Sequence, residues 1–280
     1  MAICAKPELL SPAGDFECVR AAVNNGCDAV YIGGKNFSAR QYAGNFDLTE
    51  IEQVCDYCHV RNVKVYVAVN TIYKENELKG LLTYVSSLSR IGVDALIMQD
   101  LGAAMLIKER FSIPINASTQ LTTNSLEEAQ ALVDYGFSRV ILSRELCIGE
   151  IKNIAENCTG EIETFVHGAL CVSYSGQCIM SSMLGGRSGN RGRCAQTCRL
   201  PYSMYNGYDR IKDGYLLSTK DIQTVTVLPE LMEAGISSFK IEGRMKSPEY
   251  VAGVTGIYRK YIDMYFEKPE DYSVDQSAAF

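Results

Sequence analysis

A repeated pattern of a glycine followed by a short apolar run constrains the fold of this chain more than any other feature. It occurs in NNGCDAVYIGG at Gly26, RIGVDALIMQD at Gly92, DYGFSRVILSR at Gly136 and EAGISSFKIEGR at Gly235. A glycine suits the left-handed position just after a helix C-terminus. The run that follows is apolar at successive positions, which is typical of a parallel strand covered on both faces.

Further segments share the strand pattern without the glycine, and helical patterns separate them. These strand segments are ELLSPAG, VKVYVAVNT, IPINAST, ETFVHG and GYLLSTKD. Strands that alternate with helices predict an α/β fold with a parallel sheet. Eight or nine such units fit a closed, TIM-like (β/α)8 barrel. An open doubly wound sheet is the alternative, weakened because SPAGDF stands where a GxGxxG turn would follow the first strand.

The strand–helix rhythm stops between Cys171 and Lys212, where Gly, Ser, Arg and Tyr are frequent. Long loops without secondary structure in compact domains are usually functional. We therefore predict a barrel domain over residues 1–265 that includes a Cys- and Arg-rich insertion over residues 171–212. The insertion leaves from the end of the ETFVHG strand and should cover the C-terminal mouth of the barrel. Residues 266–280 form a tail.

The insertion carries Cys171, Cys178, Cys194 and Cys198, with the spacing C-x6-C-x15-C-x3-C. The N-terminus shows no secretory signal, so we expect a cytoplasmic protein with reduced thiols, which disfavours a disulfide frame. Zinc accepts four thiolates, but zinc knuckles more often use C-x2-C pairs. An iron–sulfur cluster is also held by four thiolates, often with irregular spacing, and is the favoured interpretation. Zinc and simple packing stay open.

Two other cysteine arrangements are weaker candidates for chemistry. Cys55 and Cys58 form a C-x2-C within a helical pattern, with no strand before them, and we interpret them as helix packing. Cys171 follows His167 by four residues, but a Cys–His nucleophile needs hydrogen-bond reach and a third orienting group. The chain has only two histidines. A protease nucleophile is therefore a minor alternative.

The net charge is −6, so the chain is not basic overall, yet its charges are unevenly distributed. No Asp or Glu occurs between Glu163 and Asp209, and local potential steers an anionic ligand more than net charge does. Guanidinium groups suit carboxylate and phosphate. We predict that this window binds an anionic substrate through Arg187, Arg191, Arg193 and Arg199. No apolar run is long enough to suggest a membrane span.

Function in a barrel concentrates at the C-terminal ends of the strands. The polar residues assigned there, and predicted to position substrate and transfer protons, are Glu163, His167, Lys240, Glu242 and Arg244. Tyr174 is predicted to contribute to substrate binding by stacking on an unpaired base.

The stretch ETFVHGALCVSYSGQCIMS, with the pattern E-x-F-x2-G-A-x-C-x4-G-x-C-x2-S, resembles the collagenase-like peptidases, peptidase family U32. ELLSPAGDFE, AVYIGGKNFSAR and SFKIEGRMKSPEYV are also similar to this family. The resemblance extends to about residue 265. Family members are usually longer, so the resemblance implies that residues 266–280 begin a truncated C-terminal region.

The resemblance implies two functions. One is a peptidase of unknown catalytic type. The other is hydroxylation of tRNA or rRNA without molecular oxygen, with a 4Fe-4S cluster and with prephenate as the oxygen donor. The four cysteines of the insertion would then be the cluster ligands, and the local C-x3-C pair resembles the RNA-hydroxylating branch. A non-catalytic RNA-binding module stapled by zinc is a third hypothesis.

Overall fold

The computed structural model describes residues 5–39 and 44–275. Its strands are β1 (Glu8–Pro12), β2 (Ala29–Gly33), β3 (Lys64–Ala68), β4 (Ala95–Met98), β5 (Ile115–Ala117), β6 (Arg139–Ile141), β7 (Glu161–Ala169), β8 (Tyr202–Asn206), β9 (Asp209–Gly214), β10 (Asp221–Gln223) and β11 (Ser238–Ile241). Its helices are α1 (Phe16–Asn24), α2 (Leu48–His59), α3 (Leu78–Ile91), α4 (Leu101–Lys108), α5 (Leu126–Asp134), α6 (Ile148–Asn157), α7 (Met180–Gly185), α8 (Leu228–Glu233) and α9 (Pro248–Glu267).

Eight parallel strands close into a barrel. Strands β1 to β7 pair in chain order, and β11 fills the gap between β7 and β1. The register Glu8↔Ser238 joins β1 to β11, and Ser238↔Glu163 joins β11 to β7. The prediction of a TIM-like (β/α)8 barrel is therefore confirmed, and the open sheet is excluded.

Eight of the nine predicted strand segments form the barrel, and the prediction for GYLLSTKD is wrong. In that segment Tyr215 and Leu217 are exposed, and the chain makes turns. The next residues form β10, which pairs antiparallel with the end of β7. Apolar spacing alone suggested a strand there, but the barrel already has its eight members. The last residue of the AVYIGGKNFSAR segment, Arg40, lies outside the described residues.

The glycines of the repeat take the backbone conformation that the sequence predicted. Gly26, Gly92, Gly136 and Gly235 have φ between +80° and +94°, directly after helices. The opposite ends of four helices, α1, α2, α4 and α5, are capped by an acidic or hydroxyl side chain. Asp47 and Glu50 form a capping box at the start of α2, for example. These local signals fix where each helix begins and ends.

Two apolar layers surround the strands. The outer layer packs the strands against the helices and includes Val30, Val65 and Phe239. The inner layer fills the barrel and consists of Leu10, Ala29, Tyr31, Tyr66, Ala95, Ile97, Ile141 and Phe165. The barrel is thus a packed core rather than a pore, and any ligand must bind at its mouth.

A buried ion-pair network lies inside the barrel at the N-terminal side of this inner layer. Glu163 is fully buried and accepts hydrogen bonds from Lys240 Nζ at 2.9 Å and from Arg139 Nη1 at 3.1 Å. Arg139 also contacts Glu8 at 2.6 Å. The expected position of Glu163 at a C-terminal strand end is wrong, because β7 begins only two residues earlier and runs on to Ala169.

The chain after the predicted boundary at residue 265 continues in contact with the barrel. Helix α9 ends at Glu267, and the Tyr272 ring packs edge-on against Tyr261 and Tyr265. The final part of the predicted tail, residues 276–280, lies outside the described residues. Over the described ranges, none of the helices combines the length and apolar character needed to cross a membrane.

Candidate functional site

A cavity of about 570 Å³ lies between the barrel mouth and the chain that follows β7. Four cysteines line it: Cys171, Cys178, Cys194 and Cys198. The barrel contributes residues that follow three different strands: Gln120 after β5, Arg144 after β6 and Glu242 after β11. The insertion therefore covers the C-terminal mouth as predicted. It is not without structure, because it contains α7 and the β8–β9 hairpin.

The four thiols share one environment. Burial raises the pKa of the Cys198 thiol, the adjacent Arg199 opposes this, and the sulfurs of the other three cysteines raise it further. Cys194 Sγ lies 3.4 Å from the Gln196 backbone N–H and 3.9 Å from Ser181 Oγ. The free cysteines outside this set include Cys55 and Cys58, which are buried as the packing interpretation expects.

Arg199 ties the two ends of the insertion together. Its Nη2 donates to Leu170 O at 2.6 Å, and its Nη1 donates to Ser218 Oγ at 2.7 Å and to Thr219 O at 2.5 Å. Leu170 directly precedes Cys171, and Arg199 directly follows Cys198. One guanidinium therefore fixes the first and last cysteines relative to β7.

Arg191 ties the middle of the insertion to the loop after β3. Its guanidinium pairs with Glu77 through two hydrogen bonds of 2.6 and 3.0 Å and donates to Ile72 O at 2.6 Å. Gly192 follows with φ +79°, and a Cβ there would lie 2.5 Å from Ser38 O. These contacts bring the chain against the barrel just before Cys194.

The segment before Cys178 is held by the loops after β5 and β6. The Glu145 carboxylate accepts from Ser175 N at 2.6 Å and from Ser175 Oγ at 2.9 Å. Gln177 Nε2 donates to Thr122 Oγ1 at 2.6 Å. Gly176 has φ +77° and packs on the backbone of Gln120. The cysteines are thus carried by chain that three separate sets of contacts attach to the rigid barrel.

Most of the predicted substrate-binding residues do not line the cavity. Arg191 is occupied by Glu77, and Arg187 Nε donates to Arg193 O at 3.2 Å. Arg193 and Tyr174 are exposed outside the cavity. Arg199 does line it, but its donors are directed to the carbonyl and hydroxyl groups that close the insertion. These arginines hold the insertion together in this conformation.

The predicted catalytic residues separate into three locations. Glu242 lines the cavity, and Arg244 and Lys240 lie beneath it. His167 packs against Tyr250 and Tyr258 of α9, where burial lowers the pKa of its imidazole. Glu163 belongs to the buried network described above. The structure therefore places Glu242, Arg244 and Lys240 along the cavities. Glu163 contacts Lys240 from deeper inside the barrel, and the His167 ring lies apart, against α9.

A second, smaller cavity of about 40 Å³ continues into the barrel below the first. Gln120, Arg144 and Glu242 line both cavities. Neither Gln120 nor Arg144 was among the predicted site residues. Arg144 follows the DYGFSRVILS strand, and this strand-end position was the one signal that pointed to it. Gln120 lies beyond its strand end and has no motif around it.

The donor set is four thiols that line one cavity. Four thiolates are the ligands that an iron–sulfur cluster takes, and a structural zinc also accepts them. Cys171, Cys178, Cys194 and Cys198 are therefore the residues that could hold either group.

The chain is thus a closed (β/α)8 barrel protein with four cysteines on the connection that follows its seventh strand, β7. The chain belongs to peptidase family U32, whose family model matches residues 14–279. The resemblance seen in the sequence is therefore confirmed.

Relatives within this family include RNA-modifying proteins. The 23S rRNA 5-hydroxycytidine C2501 synthase of Escherichia coli (strain K12) is 43% identical over 266 residues, which cover 94% of this chain and 40% of the synthase. The tRNA hydroxylation protein P1 of Bacillus subtilis (strain 168) is 36% identical over 283 residues, covering 98% of this chain and 67% of that protein. The chain spans less than half the length of the first and about two thirds of the second.

The barrel is similar to the solved structure of the U32 peptidase Mk0906. The TM-score is 0.59, with 85% of this chain and 93% of that chain covered. The sequence identity is 12%, so this likeness concerns the fold alone.

Proposed function

We propose that this chain is the cluster-bearing barrel of an oxygen-independent RNA hydroxylase that acts on tRNA or rRNA. The cofactor would be a 4Fe-4S cluster, and the oxygen donor would be a small dicarboxylate such as prephenate. The two relatives named for rRNA and tRNA hydroxylation support the RNA substrate, although this chain spans only part of each of them. A cytoplasmic location is part of the proposal, because reduced thiols and RNA occur together there.

The observation that carries the proposal is that four cysteines line one cavity at the barrel mouth. A bound cluster would supply one-electron chemistry at the wall of this cavity. The barrel mouth is also the place where enzymes of this fold carry their reacting groups. Cys171, Cys178, Cys194 and Cys198 would hold the cluster.

The chain's own residues would orient the substrates. Glu242 lines both cavities and is our candidate for holding a proton near the reacting group. Arg199 and Arg191 would keep the insertion in place, as their contacts indicate. Their role would be positioning rather than direct anion binding.

RNA would approach from the outer face of the insertion. Tyr174 is 65% exposed there, and Tyr205 and Tyr208 are exposed on the β8–β9 hairpin. Exposed aromatic rings suit stacking on unpaired bases, and Lys212 on the same hairpin suits contact with phosphates, whereas Arg210 is paired with Asp213. The net charge of −6 limits non-specific RNA binding, so the contact would be local.

The peptidase alternative has less support from the geometry. In the part of the chain that the structure describes, His167 Nδ1 is within 3.4 Å of Tyr258 OH, and His59 Nε2 is 2.9 Å from Asp94. Neither histidine contacts a Ser or Cys among these residues, so no nucleophile–base pair is formed there. The peptidase alternative is still tested below, because the family to which the chain belongs is described as a peptidase family.

The test is to purify the protein without oxygen and to measure its visible spectrum with iron, sulfide and zinc contents. We expect a broad band at about 400 nm, typical of thiolate-bound iron. The double variant Cys194→Ser, Cys198→Ser should lose iron and sulfide. Cys147→Ser is the matched control, because Cys147 is exposed but does not line the cysteine cavity.

The second measurement is mass spectrometry of tRNA and rRNA after incubation with the loaded protein and prephenate. A gain of one oxygen atom on a nucleotide is the expected result. One bound zinc and no iron would instead favour the zinc-stapled RNA-binding module. Cleavage of a gelatin substrate that persists in the double cysteine variant would favour the peptidase.

A further inference from the structure

Arg144 differs from the other arginines that line the two cavities. Arg199 is occupied by the groups that close the insertion, and Arg244 is buried and donates to Ser38 Oγ at 2.9 Å. Arg144 is half-buried at the junction where the cavities meet. It is therefore placed to contact a ligand that enters from the mouth.

The contacts of the Arg144 guanidinium leave most of its hydrogen-bonding capacity unused. Over residues 5–39 and 44–275, they are a long hydrogen bond of 3.5 Å to Ser175 Oγ and the face of the Phe165 ring at 5.5 Å. Neither contact supplies a negative charge. A half-buried guanidinium without a carboxylate partner attracts an anion, since five donors and a full charge remain to be satisfied.

The charges around the inner cavity favour an anion. Its lining cations are Arg144, Lys240 and Arg244, and its lining carboxylate is Glu242. Lys240 is already paired with Glu163 inside the barrel. Two cations therefore remain beside one carboxylate, and a positive local potential steers an anionic ligand.

The size of the inner cavity selects between a small acid and an RNA phosphate. Its volume of about 40 Å³ accommodates a group of a few atoms and not a nucleotide. Its walls include the apolar side chains of Ile97, Ile141 and Phe165, with Ser118 and Gln120 as polar neighbours. This space therefore admits one end of a small organic acid, and the remainder of the acid must lie in the larger cavity.

We propose that Arg144 anchors the carboxylate of a small organic acid at the junction of the two cavities. Gln120, which also lines both cavities, would donate a second hydrogen bond from its side-chain amide to the same carboxylate. The body of the acid would lie toward the cysteines in the larger cavity. The role of this acid as the co-substrate rests on the proposed function, but its binding does not.

The test uses prephenate as the probe and isothermal titration calorimetry on the anaerobically prepared full chain. Arg144→Gln should weaken prephenate binding at least about tenfold, because a charged bidentate contact is lost. Gln120→Glu should weaken it too, because the new carboxylate would repel the ligand and occupy Arg144. Arg110→Gln is the matched control, since Arg110 is an exposed arginine just after the C-terminal end of α4, at the opposite end of the barrel from the cavities.

Thermal unfolding shows whether each variant is folded. If Arg144→Gln does not fold, the prephenate affinity of Gln120→Glu is the test of the proposal. The proposal is overturned if wild-type protein shows no saturable prephenate binding, or if both cavity variants bind prephenate as the control does. It is also overturned if Arg144→Gln weakens binding of a short single-stranded RNA and leaves prephenate affinity unchanged.

Iron and sulfide contents and RNA hydroxylation are measured on the same samples. Prephenate binding that depends on Arg144 in a protein without a cluster would refute the proposed hydroxylase and support this site. A protein that hydroxylates RNA but binds prephenate independently of Arg144 would support the proposed hydroxylase and refute the Arg144 site.

Discussion

Arg191 in the insertion and Glu77 after β3 form a two-point ion pair across 114 positions of the chain, with Nη2 and Oε1 2.6 Å apart. The pair holds the segment that leads into Cys194. Gln99 Nε2 supports the same segment by donating to Asn190 O at 3.3 Å. The position of one cysteine therefore depends on a barrel loop that is distant in sequence.

The first prediction concerns the pH dependence of this ion pair. Hydrogen bonds from Arg191, and from the Lys74 backbone, lower the pKa of Glu77 to about 2. A carboxyl group with a lowered folded-state pKa stabilises the fold above its unfolded pKa, and this contribution is lost as the pH falls toward the folded value. The difference in unfolding free energy between wild type and Glu77→Gln should be constant from pH 7 to 5 and shrink below about pH 4.

That difference should be small, about 1 kcal/mol or less, because the pair is partly exposed. Chemical denaturation at a series of pH values measures it. A difference that stays the same from pH 5 down to pH 2 would show that the pKa of Glu77 is equal in the folded and unfolded chain, and that the ion pair does not form in solution.

The second prediction compares two glycines with positive φ. Gly192→Ala would place a Cβ 2.5 Å from Ser38 O, whereas Gly207→Ala, at φ +59° in the hairpin, meets nothing within 4 Å. Both substitutions cost about 1 kcal/mol of backbone strain. Only the first should also displace the segment before Cys194, and so speed its cleavage in limited proteolysis. Equal cleavage rates would contradict the close approach.

The third prediction concerns the buried network. Glu163→Ala leaves Lys240 without its carboxylate partner inside the barrel, and it should lower the free energy of unfolding by about 3–5 kcal/mol. Glu161→Ala removes a carboxylate from the same Arg139, but Glu161 is 56% exposed, so the loss should stay below about 1 kcal/mol. Urea denaturation of both variants provides the comparison. Similar losses would place Glu163 in a wetter environment than the structure indicates.

The fourth prediction concerns His167. Burial lowers the pKa of its imidazole, so protonation is easier in the unfolded chain than in the folded one. For a base with a lowered folded-state pKa, stability falls as the pH drops below the unfolded value of about 6.5. Wild type should therefore lose stability relative to His167→Gln between pH 7 and 5. The opposite slope would mean that a carboxylate, such as the nearby Asp221, controls the imidazole instead.

The barrel was predictable because its signals are local and repeated. A glycine after each of four helices and an apolar run after each glycine require only neighbouring residues to be read. GYLLSTKD failed because apolar spacing does not show whether a strand has a neighbour to pair with. The four cysteines were predictable as a set, since their crowding in an Arg-rich loop is itself a local signal.

The roles of the charged residues were harder to predict because partners lie far apart in sequence. Arg191 and Arg199 have the same chemistry whether they bind a ligand or the protein's own oxygens, and only the fold brings Glu77 and Leu170 to them. From the sequence alone, Glu163 was predicted to be a catalytic carboxylate, and only the fold shows that it pairs with Arg139 and Lys240 inside the barrel. Arg144 carried no motif, and its lack of an acidic partner becomes visible only in three dimensions.

The clamp that Arg199 forms with Leu170 and Thr219 has a consequence for how such proteins can diverge. It closes the cysteine-bearing part of the insertion before the β8–β9 hairpin begins, so the hairpin is an excursion between two fixed points. Its length and sequence can change without moving the cysteines. The hairpin is thus a segment that related chains could exchange or lengthen while keeping the same cysteine-lined cavity.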